Sequence, residues 1–313
     1  MNLQQLGYIV AVDRHKSFSK AAEACHVTQA TLSTMVRKLE EELEVVLFDR
    51  KTVPVITTEC GQDIIREAEE VLRHSRKLRE VAKEVRGKIE GALSLGIIPT
   101  VAANLLHRVL PLLLERYPGL KLNVQEVTTD SIIERLKKGE LDVGIASTPL
   151  SPAAQLEEEI LYYEKLMVYG DTEEGATRFL KPADIANEQV WLLEQGNCLT
   201  DQVVNICALH SRPMSTNLSF SPNSFDSLLN IVDRFRGLTI VPELYAMDLP
   251  PDRASRIKDF TPPYPVREIS LVYHRPYAKM RLISAISGLI KEVVQPLLQT
   301  SKMKNSEMQI ARL

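Results

Sequence analysis

The chain has 313 residues, of which 44% are apolar and 25% are charged, and its net charge is −3. This length exceeds a single compact core and predicts two or three domains of an ordinary water-soluble protein. No segment approaches the roughly 18 consecutive apolar residues of a membrane helix, and the start lacks the features of a secretory signal. We therefore expect a cytoplasmic protein with no membrane partner, in a compartment that keeps thiols reduced.

The first sixty residues predict short helices followed by a hairpin. Thr28 can cap a third helix, in which Leu32, Met35, Val36, Leu39 and Leu43 form one apolar stripe, while the opposite face carries small polar side chains. Such a face fits a helix-turn-helix whose recognition helix lies in the major groove of DNA. The segment "VVLFDRKTVPVITT" alternates like a hairpin, and Arg50 and Lys51 lie near its tip as a wing. A plain three-helix domain with a solvated polar face is the alternative.

One long helix is predicted from about residue 58 to residue 86. Apolar side chains repeat every seven residues at Ile64, Val71, Leu78 and Val85, and small side chains repeat likewise at Ala68, Ser75 and Ala82. This heptad pattern is typical of a coiled coil, and the segment exceeds an ordinary globular helix. We therefore expect a dimer that presents two recognition helices to a roughly palindromic site.

Beyond residue 90, short apolar strands alternate with helices. Strand-like segments are "ALSLGII", "KLNVQEV", "VGIAS" and "LMVYG", and the helix-like segments between them predict α/β units around a largely parallel sheet. Phosphate loops, zinc-binding motifs and the serine-hydrolase elbow are absent from the sequence. We expect no enzymatic activity, no cofactor and no metal.

Two of the four cysteines, Cys198 and Cys207, lie nine residues apart around a helix-like stretch. Thr200 can cap that helix, and a helix N-terminus next to Cys198 would lower the pKa of its thiol. A continuous helix would hold the two residues about 13.5 Å apart along its axis, whereas a disulfide needs Cα atoms within about 7 Å. A disulfide would therefore require partial unwinding and could act as a switch. Alternatively, Cys207 fills an apolar slot and Cys198 is incidental; Cys25 and Cys60 suggest no role.

The segment "FSKAAEACHVTQATLSTMVRKLEEELEVVLFDR" resembles the N-terminal signature of the LysR-type transcriptional regulators. This resemblance implies a winged helix-turn-helix that binds double-stranded DNA. The residues that it implies in DNA contact are Thr28, Gln29, Ser33, Arg37 and Arg50. Glu44 departs from the family, which usually has Gly there, and this departure affects a turn rather than the DNA-binding face.

The resemblance covers the whole chain and implies an α plus α/β fold with a two-lobed sensor domain similar to periplasmic binding proteins. The implied order is a winged helix-turn-helix at 1–58, a dimerising linker helix at 59–88, sensor lobe I at 91–163 plus 268–296, sensor lobe II at 164–267, and a tail at 297–313. The polar tail is expected to be mobile. By analogy the protein forms a dimer and then a tetramer, with RNA polymerase as a further candidate partner.

The segment "LLEQGNCLTDQVVNIC" resembles the hydrogen-peroxide-sensing branch of the same family. There the first cysteine reacts with hydrogen peroxide and the second resolves the product as a disulfide, which implies these roles for Cys198 and Cys207. By the same resemblance, Thr100 and Thr129 hold peroxide by hydrogen bonds and Arg267 supplies positive charge. Asn197 and Asp201 complete the implied peroxide pocket, and Asn197 replaces a histidine of a well-known form.

These features predict a DNA-binding transcriptional regulator that senses hydrogen peroxide through reversible disulfide formation and controls oxidative-stress genes. One alternative is a regulator of the same family that responds to a small metabolite in the cleft between the lobes, with Thr100 and Thr129 as polar ligands. A thiol peroxidase is a third class. The predicted N-terminal DNA-binding domain disfavours the peroxidase class, because a sensor needs one oxidation per signal and no fast catalytic cycle.

Overall fold

The computed structural model describes residues 1–84, 90–171, 179–186, 188–194, 196–209, 220–274 and 279–312. It contains two compact units, residues 1–87 and residues 88–313. Within the described part of the chain, no helix is both long enough and apolar enough to cross a membrane.

The N-terminal unit consists of four helices and a two-stranded hairpin. Its elements are α1 (Leu3–His15), α2 (Phe18–Ala24), α3 (Gln29–Leu43), β1 (Phe48–Asp49), β2 (Ile56–Thr57) and α4 (Glu59–Glu84), and the two strands pair antiparallel. Thr28 caps α3 as predicted, because its hydroxyl accepts a hydrogen bond from the Thr31 amide. The predicted stripe is also confirmed: Leu32, Val36 and Leu39 are fully buried against α1, and Met35 and Leu43 are partly buried.

Helix α4 changes its environment along its length. Ile65 and Ala68, near its start, are buried in the core of the N-terminal unit. The residues at the heptad positions, here called the seam, include Ile64, Ala68, Val71, Ser75 and Leu78. Of these, Val71 and Leu78 are 44% and 75% exposed, so the seam is uncovered at two apolar positions in the single chain. Val85 and the side chain of Ala82 lie outside the described residues.

The C-terminal unit is an α/β structure built on a nine-stranded sheet. Its elements are β3 (Gly91–Ile97), α5 (Pro99–Arg116), β4 (Leu120–Glu126), α6 (Thr129–Lys137), β5 (Val143–Thr148), β6 (Glu157–Asp171), β7 (Phe179–Leu180), α7 (Pro182–Ile185), α8 (Cys198–Ile206), α9 (Phe225–Phe235), β8 (Gly237–Pro242), α10 (Glu243–Ala246), α11 (Pro251–Ala254), β9 (Ile257–Phe260), β10 (Tyr264–Tyr273), α12 (Met280–Val294) and β11 (Met308–Ile310). The strand order is β4-β3-β5-β10-β6-β9-β7, with β8 on β6 and β11 on β10.

The sheet is mixed rather than largely parallel. Strand β3 pairs parallel with β4 and β5, as the alternation of strands and helices predicts. Strand β10 pairs antiparallel with β5 and β6, and β6 pairs antiparallel with β8 and β9. The prediction fails there because β10 returns from a distant part of the chain, so no crossover helix fixes its direction.

Two hydrophobic clusters lie along this sheet. One draws its residues mainly from 93–162 and 269–298, and the other mainly from 166–260. Cys198 belongs to the first cluster and Cys207 to the second. Helix α8 therefore begins in one core and ends in the other.

The C-terminal tail is ordered where it is described, which corrects the expectation of a mobile segment. Short 3-10 helices at Gln299–Lys302 and Asn305–Glu307 lead into β11, which pairs parallel with Tyr264–Val266 of β10. Strand β5 covers only residues 268–272 on that edge of β10, so the edge beyond it has backbone groups free to pair. The tail provides those hydrogen bonds, which a polar composition does not reveal.

Candidate redox site and DNA-binding surface

The helix that carries the two cysteines, α8, has its N-cap three residues earlier than Thr200, the predicted cap. Asn197 is its N-cap and accepts a hydrogen bond from the Leu199 amide at 3.1 Å. The Thr200 hydroxyl instead donates to the Leu193 carbonyl at 3.0 Å. A glycine turn at Gly196, with φ +90°, directs the chain into the helix, so Cys198 is its first residue.

Cys198 and Cys207 are free thiols that are 5% and 2% exposed. Cys207 closes the helix, and its amide donates to the Val203 carbonyl at 2.9 Å. At the rise of an α-helix, the nine-residue step from Cys198 to Cys207 spans about 13.5 Å, whereas disulfide Cα atoms lie within about 7 Å. The two sulfurs therefore cannot join while α8 is intact.

The pKa of Cys198 is higher than that of an ordinary thiol, which corrects the expectation of a lowered value. Burial raises this pKa, and it outweighs the charge of Arg267, the Thr129 hydroxyl and the Leu199 amide, which lower it. Asp201 raises it further. The helix N-terminus next to the sulfur does not compensate for the loss of water, so the resting thiol keeps its proton.

Arg267 lies in a buried ion pair close to this thiol. Its Nε donates to Glu164 Oε1 at 2.8 Å, and its two terminal nitrogens donate to the hydroxyl and carbonyl oxygens of Thr100 at 3.1 and 3.0 Å. Both Arg267 and Glu164 are 1% exposed. Arg267 and Thr100 are thus brought together, whereas Glu164 was not identified from the sequence, although a carboxylate inside the apolar strand "EILYYEKLMVYG" is a usable signal.

A pocket of about 120 Å³ with both apolar and polar walls opens beside Cys198. Its lining residues are Ile98, Pro99, Thr128, Thr129, Glu194, Gly196, Asn197, Cys198 and Asn223. Of the predicted pocket residues, Thr129, Asn197 and Cys198 line it directly. Thr100, Asp201 and Arg267 do not, and Thr100 is held by Arg267 instead. Glu194 and Asn223 lie in irregular segments without a sequence signal, so sequence analysis did not identify them.

Thr129 presents an unusual hydroxyl in this pocket. Its Oγ1 is buried and makes no hydrogen bond of ordinary geometry, while its neighbour Thr128 caps α6. The interaction of the Thr129 hydroxyl with the Cys198 sulfur is a weak one, so a guest molecule or a water that completes its hydrogen bonding would be favoured. Together with the Cys198 sulfur, this hydroxyl gives a small polar molecule a place to bind.

The predicted DNA-contact residues share one surface of the N-terminal unit. Gln29 and Arg37 are exposed on α3, Thr28 is exposed at its N-cap, and Ser33 is half-buried on the helix. Arg50 follows β1 and donates to the Ser33 hydroxyl at 3.3 Å, which brings the wing beside the helix.

Carboxylates hold the two arginines of this surface in place. Arg37 pairs with Glu41 at 2.9 Å, and Arg50 pairs with Glu40 at 2.5 Å. The Arg50 guanidinium also lies 5.0 Å from the centre of the Phe18 ring. Both cations are therefore oriented without a ligand.

In the described part of the chain, no cluster of three His, Cys, Asp or Glu side chains is arranged to hold a metal ion.

Two family models match the chain and cover most of it. One, described as the LysR substrate binding domain, matches residues 86–295, and the other, a bacterial regulatory helix-turn-helix protein of the lysR family, matches residues 3–62. The DNA-binding transcriptional dual regulator OxyR of Escherichia coli strain K12 is 34% identical over 285 residues, which cover 90% of this chain and 92% of that protein. The hydrogen peroxide-inducible genes activator of Haemophilus influenzae is 31% identical over 303 residues, which cover 95% and 100%.

Solved structures of similar sequence share the fold over most of the chain. A cysteine-to-aspartate variant of full-length OxyR from Pseudomonas aeruginosa is 27% identical, with a TM-score of 0.71, over 93% of this chain and 98% of that one. A hydrogen-peroxide-bound cysteine mutant of Corynebacterium glutamicum OxyR is 26% identical, with a TM-score of 0.61, over 96% and 95%. These similarities confirm the predicted order of a helix-turn-helix unit and an α/β sensor unit. The family models and the relatives together show that the chain belongs to the LysR family of bacterial regulators.

Proposed function

We propose that the chain is a DNA-binding transcriptional regulator that senses hydrogen peroxide by forming a reversible disulfide between Cys198 and Cys207. The observation that carries the proposal is the pair of buried free thiols at the two ends of one nine-residue helix, the first of which lines a small pocket. The similarity to hydrogen peroxide-inducible activators over nine-tenths of the chain supports it. LysR-family proteins are regulators rather than enzymes, so one oxidation per signal suffices.

The chemistry needs two steps and no cofactor. The Cys198 sulfur attacks one oxygen of peroxide, the O–O bond breaks, and the thiol proton joins the departing oxygen as water, which leaves a sulfenic acid. The Cys207 sulfur then attacks the Cys198 sulfur, a second water leaves, and a disulfide forms. Two thiols have given two electrons to peroxide. A cellular dithiol reverses the change by exchange.

The surrounding side chains have distinct roles in the first step. Thr129 and Asn197 line the pocket and offer hydrogen bonds to peroxide. Arg267 lowers the pKa of the thiol through its charge, and it also fixes the position of Thr100. Asp201 opposes ionisation of the thiol and lies in the first turn of α8, where its charge favours the intact helix.

The N-terminal unit would bind double-stranded DNA through Thr28, Gln29, Ser33, Arg37 and Arg50. The exposed seam of α4 would join two chains, and a tetramer would present two such pairs. The two hydrophobic clusters support the division of the sensor unit into lobe I, at 91–163 plus 268–296, and lobe II, at 164–267. Contact with RNA polymerase would then turn a change of packing into a change of transcription, in the cytoplasm.

The first test is a brief stoichiometric peroxide pulse on the reduced protein, followed by alkylation and peptide mass mapping. We expect a Cys198–Cys207 linkage that a dithiol reverses, and a footprint on DNA that changes with it. The variant Cys198→Ser should lose both responses. Cys60→Ser is the matched control, because Cys60 is exposed and outside the sensor unit. Equal oxidation of Cys198 and Cys60 would contradict the proposal.

A metabolite sensor is the second candidate, and the size of the pocket favours it. A volume of about 120 Å³ exceeds what one peroxide molecule fills, and Glu194 and Asn223 add polar groups to the lining. Such a ligand would raise the melting temperature equally in the parent and in a double Cys198→Ser, Cys207→Ser variant. A panel of small metabolites tested by thermal shift distinguishes the two functions.

A further inference from the structure

The C-terminal tail contacts the helix that carries the two cysteines. The Gln202 amide nitrogen donates to the Ala311 carbonyl at 2.9 Å and to the Ser147 hydroxyl at 2.9 Å. One turn later, the Asn205 amide nitrogen donates to the Arg312 carbonyl at 3.3 Å. Two side chains of α8, one from its middle and one from its last turn, therefore hold two consecutive backbone carbonyls of the tail.

The other side of the tail is attached to the sheet. The Ala311 amide donates to the Val266 carbonyl at 2.7 Å, and the Ala311 side chain is fully buried in the second hydrophobic cluster. Val266 directly precedes Arg267, the residue whose charge acts on Cys198. The tail thus connects α8 to the strand that positions the reactive site.

Disulfide formation conflicts with these contacts. Gln202 and Asn205 lie between the two cysteines, so the unwinding that brings the sulfurs together must displace the side chains that hold the tail. Gln202 is fully buried, and breaking its bonds leaves the Ala311 carbonyl and the Ser147 hydroxyl without their donor. Unmade buried hydrogen bonds oppose the motion.

We propose that residues 308–312 form a latch that keeps α8 folded in the reduced protein and is released when Cys198 and Cys207 join. This inference rests on the proposed function, because the disulfide is the event that opens the latch. Residues 308–312 contact α8 away from the pocket, so the latch slows the second step, in which the Cys207 sulfur displaces water from the Cys198 sulfenic acid. The first step, at the pocket, does not depend on it.

Opening of the latch can be measured without peroxide, through the alkylation rate of Cys207 in the reduced protein. Cys207 is buried at the end of α8, so it reacts only when the helix opens. Ala311→Pro removes the amide that bonds Val266 and should accelerate alkylation of Cys207 by about 3- to 10-fold. The matched control is Asn305→Pro, in an exposed position at the start of a 3-10 helix where proline is tolerated.

A second variant guards against a general loss of folding. Gln202→Met keeps the volume and the helix propensity of the side chain and removes its donors, so it should accelerate Cys207 alkylation to a similar extent. The alkylation rate of Cys25, in the N-terminal unit, should stay constant in every variant. Unchanged Cys207 alkylation in both Ala311→Pro and Gln202→Met would overturn the latch.

Hydrogen exchange of the parent protein tests whether formation of the disulfide releases the latch. We expect the Ala311 amide to be protected in the reduced protein and to exchange faster after peroxide, with no change in Cys198→Ser. Equal protection of that amide before and after the disulfide forms would also overturn the latch. Failure of the proposed function has a different signature, because then no disulfide forms at all while the alkylation results stand.

Discussion

Arg267 and Glu164 form a complete ion pair in a part of the sensor unit that water hardly reaches. Removing two charges from water is costly, and the attraction between them compensates only when their remaining hydrogen bonds are satisfied. Here Thr100 accepts two hydrogen bonds from Arg267, and the Leu244 amide donates to Glu164 at 3.3 Å. Both charged groups therefore have hydrogen-bond partners within the protein, and the charge of Arg267 also lowers the pKa of the Cys198 thiol.

The free energy of unfolding should fall far more when one member of the pair is replaced than when both are replaced. Arg267→Met leaves a buried, unpaired carboxylate and should lower the free energy of unfolding by about 3–5 kcal/mol. The double variant Arg267→Met, Glu164→Leu should recover most of that stability. In both variants Cys198 should react with peroxide more slowly than in the parent, because the nearby positive charge is gone. Urea unfolding and thiol oxidation rates check the two parts. Recovery of the oxidation rate in the double variant would contradict this role of Arg267.

Cys207 makes the stability of the reduced protein depend on alkaline pH. Burial raises the pKa of its thiol from 9.0 to about 12, so the folded protein holds the thiol proton more tightly than the unfolded chain does. The stabilisation is complete below pH 9 and declines as the pH rises towards 12. At pH 10 the loss should be about 1.4 kcal/mol.

The measurement compares the parent with Cys207→Ala, both kept reduced, by denaturant unfolding at pH 8 and pH 10. The difference in unfolding free energy between the two proteins should shrink at the higher pH. A constant difference would mean that the Cys207 thiol is not shielded from water.

Among the helices, α3 ends in a strained conformation. Its C-cap, Glu44, has φ +55°, in the left-handed region that costs a residue with a Cβ about 1 kcal/mol or more. The family resemblance leads us to expect glycine there, and the left-handed conformation of this turn gives the reason.

Glu44→Gly should therefore raise the free energy of unfolding by about 0.5–1 kcal/mol, because glycine adopts this conformation without a steric penalty. The affinity for DNA should stay the same within error. A matched control is Glu42→Gly, within the same helix, which should be destabilising instead. Thermal unfolding and DNA titration test both expectations. Equal effects of the two substitutions would contradict the strain at Glu44.

The elements that the sequence predicted best are those with a strong local signal. The stripe of α3 and its cap at Thr28 follow from periodicity and from one hydroxyl, so both are confirmed. The predicted start of α8 was wrong because Asn197 and Thr200 are both good helix caps. The Thr200 hydroxyl instead donates to the Leu193 carbonyl, a tertiary contact that no local pattern reveals. The ordered tail was missed because its partner, β10, is distant in sequence and shares no local pattern with it.

At the scale of the assembly, the exposed seam of α4 carries the prediction of a dimer. Leu78→Glu would place a carboxylate on that seam and should shift the protein towards monomers by at least tenfold in dissociation constant. Arg66→Glu is the matched control, because residue 66 is exposed and lies off the seam on the same helix. Sedimentation equilibrium measures both variants. Equal dissociation of the two would show that α4 does not form the interface.

Strand β6 belongs to both hydrophobic clusters, and its partner changes along its length. Residues up to Lys165 pair with β10, and residues from Leu166 onwards pair with β8. An extended strand already spans about 3.3 Å per residue and can hardly lengthen. Strand β6 therefore joins the two halves of the sensor unit at a nearly fixed distance. When α8 rearranges around Cys198, we expect one half to rotate relative to the other rather than to move away from it. The twist of β6 between Lys165 and Leu166, where its pairing partner changes, should then differ between the reduced and the oxidised protein.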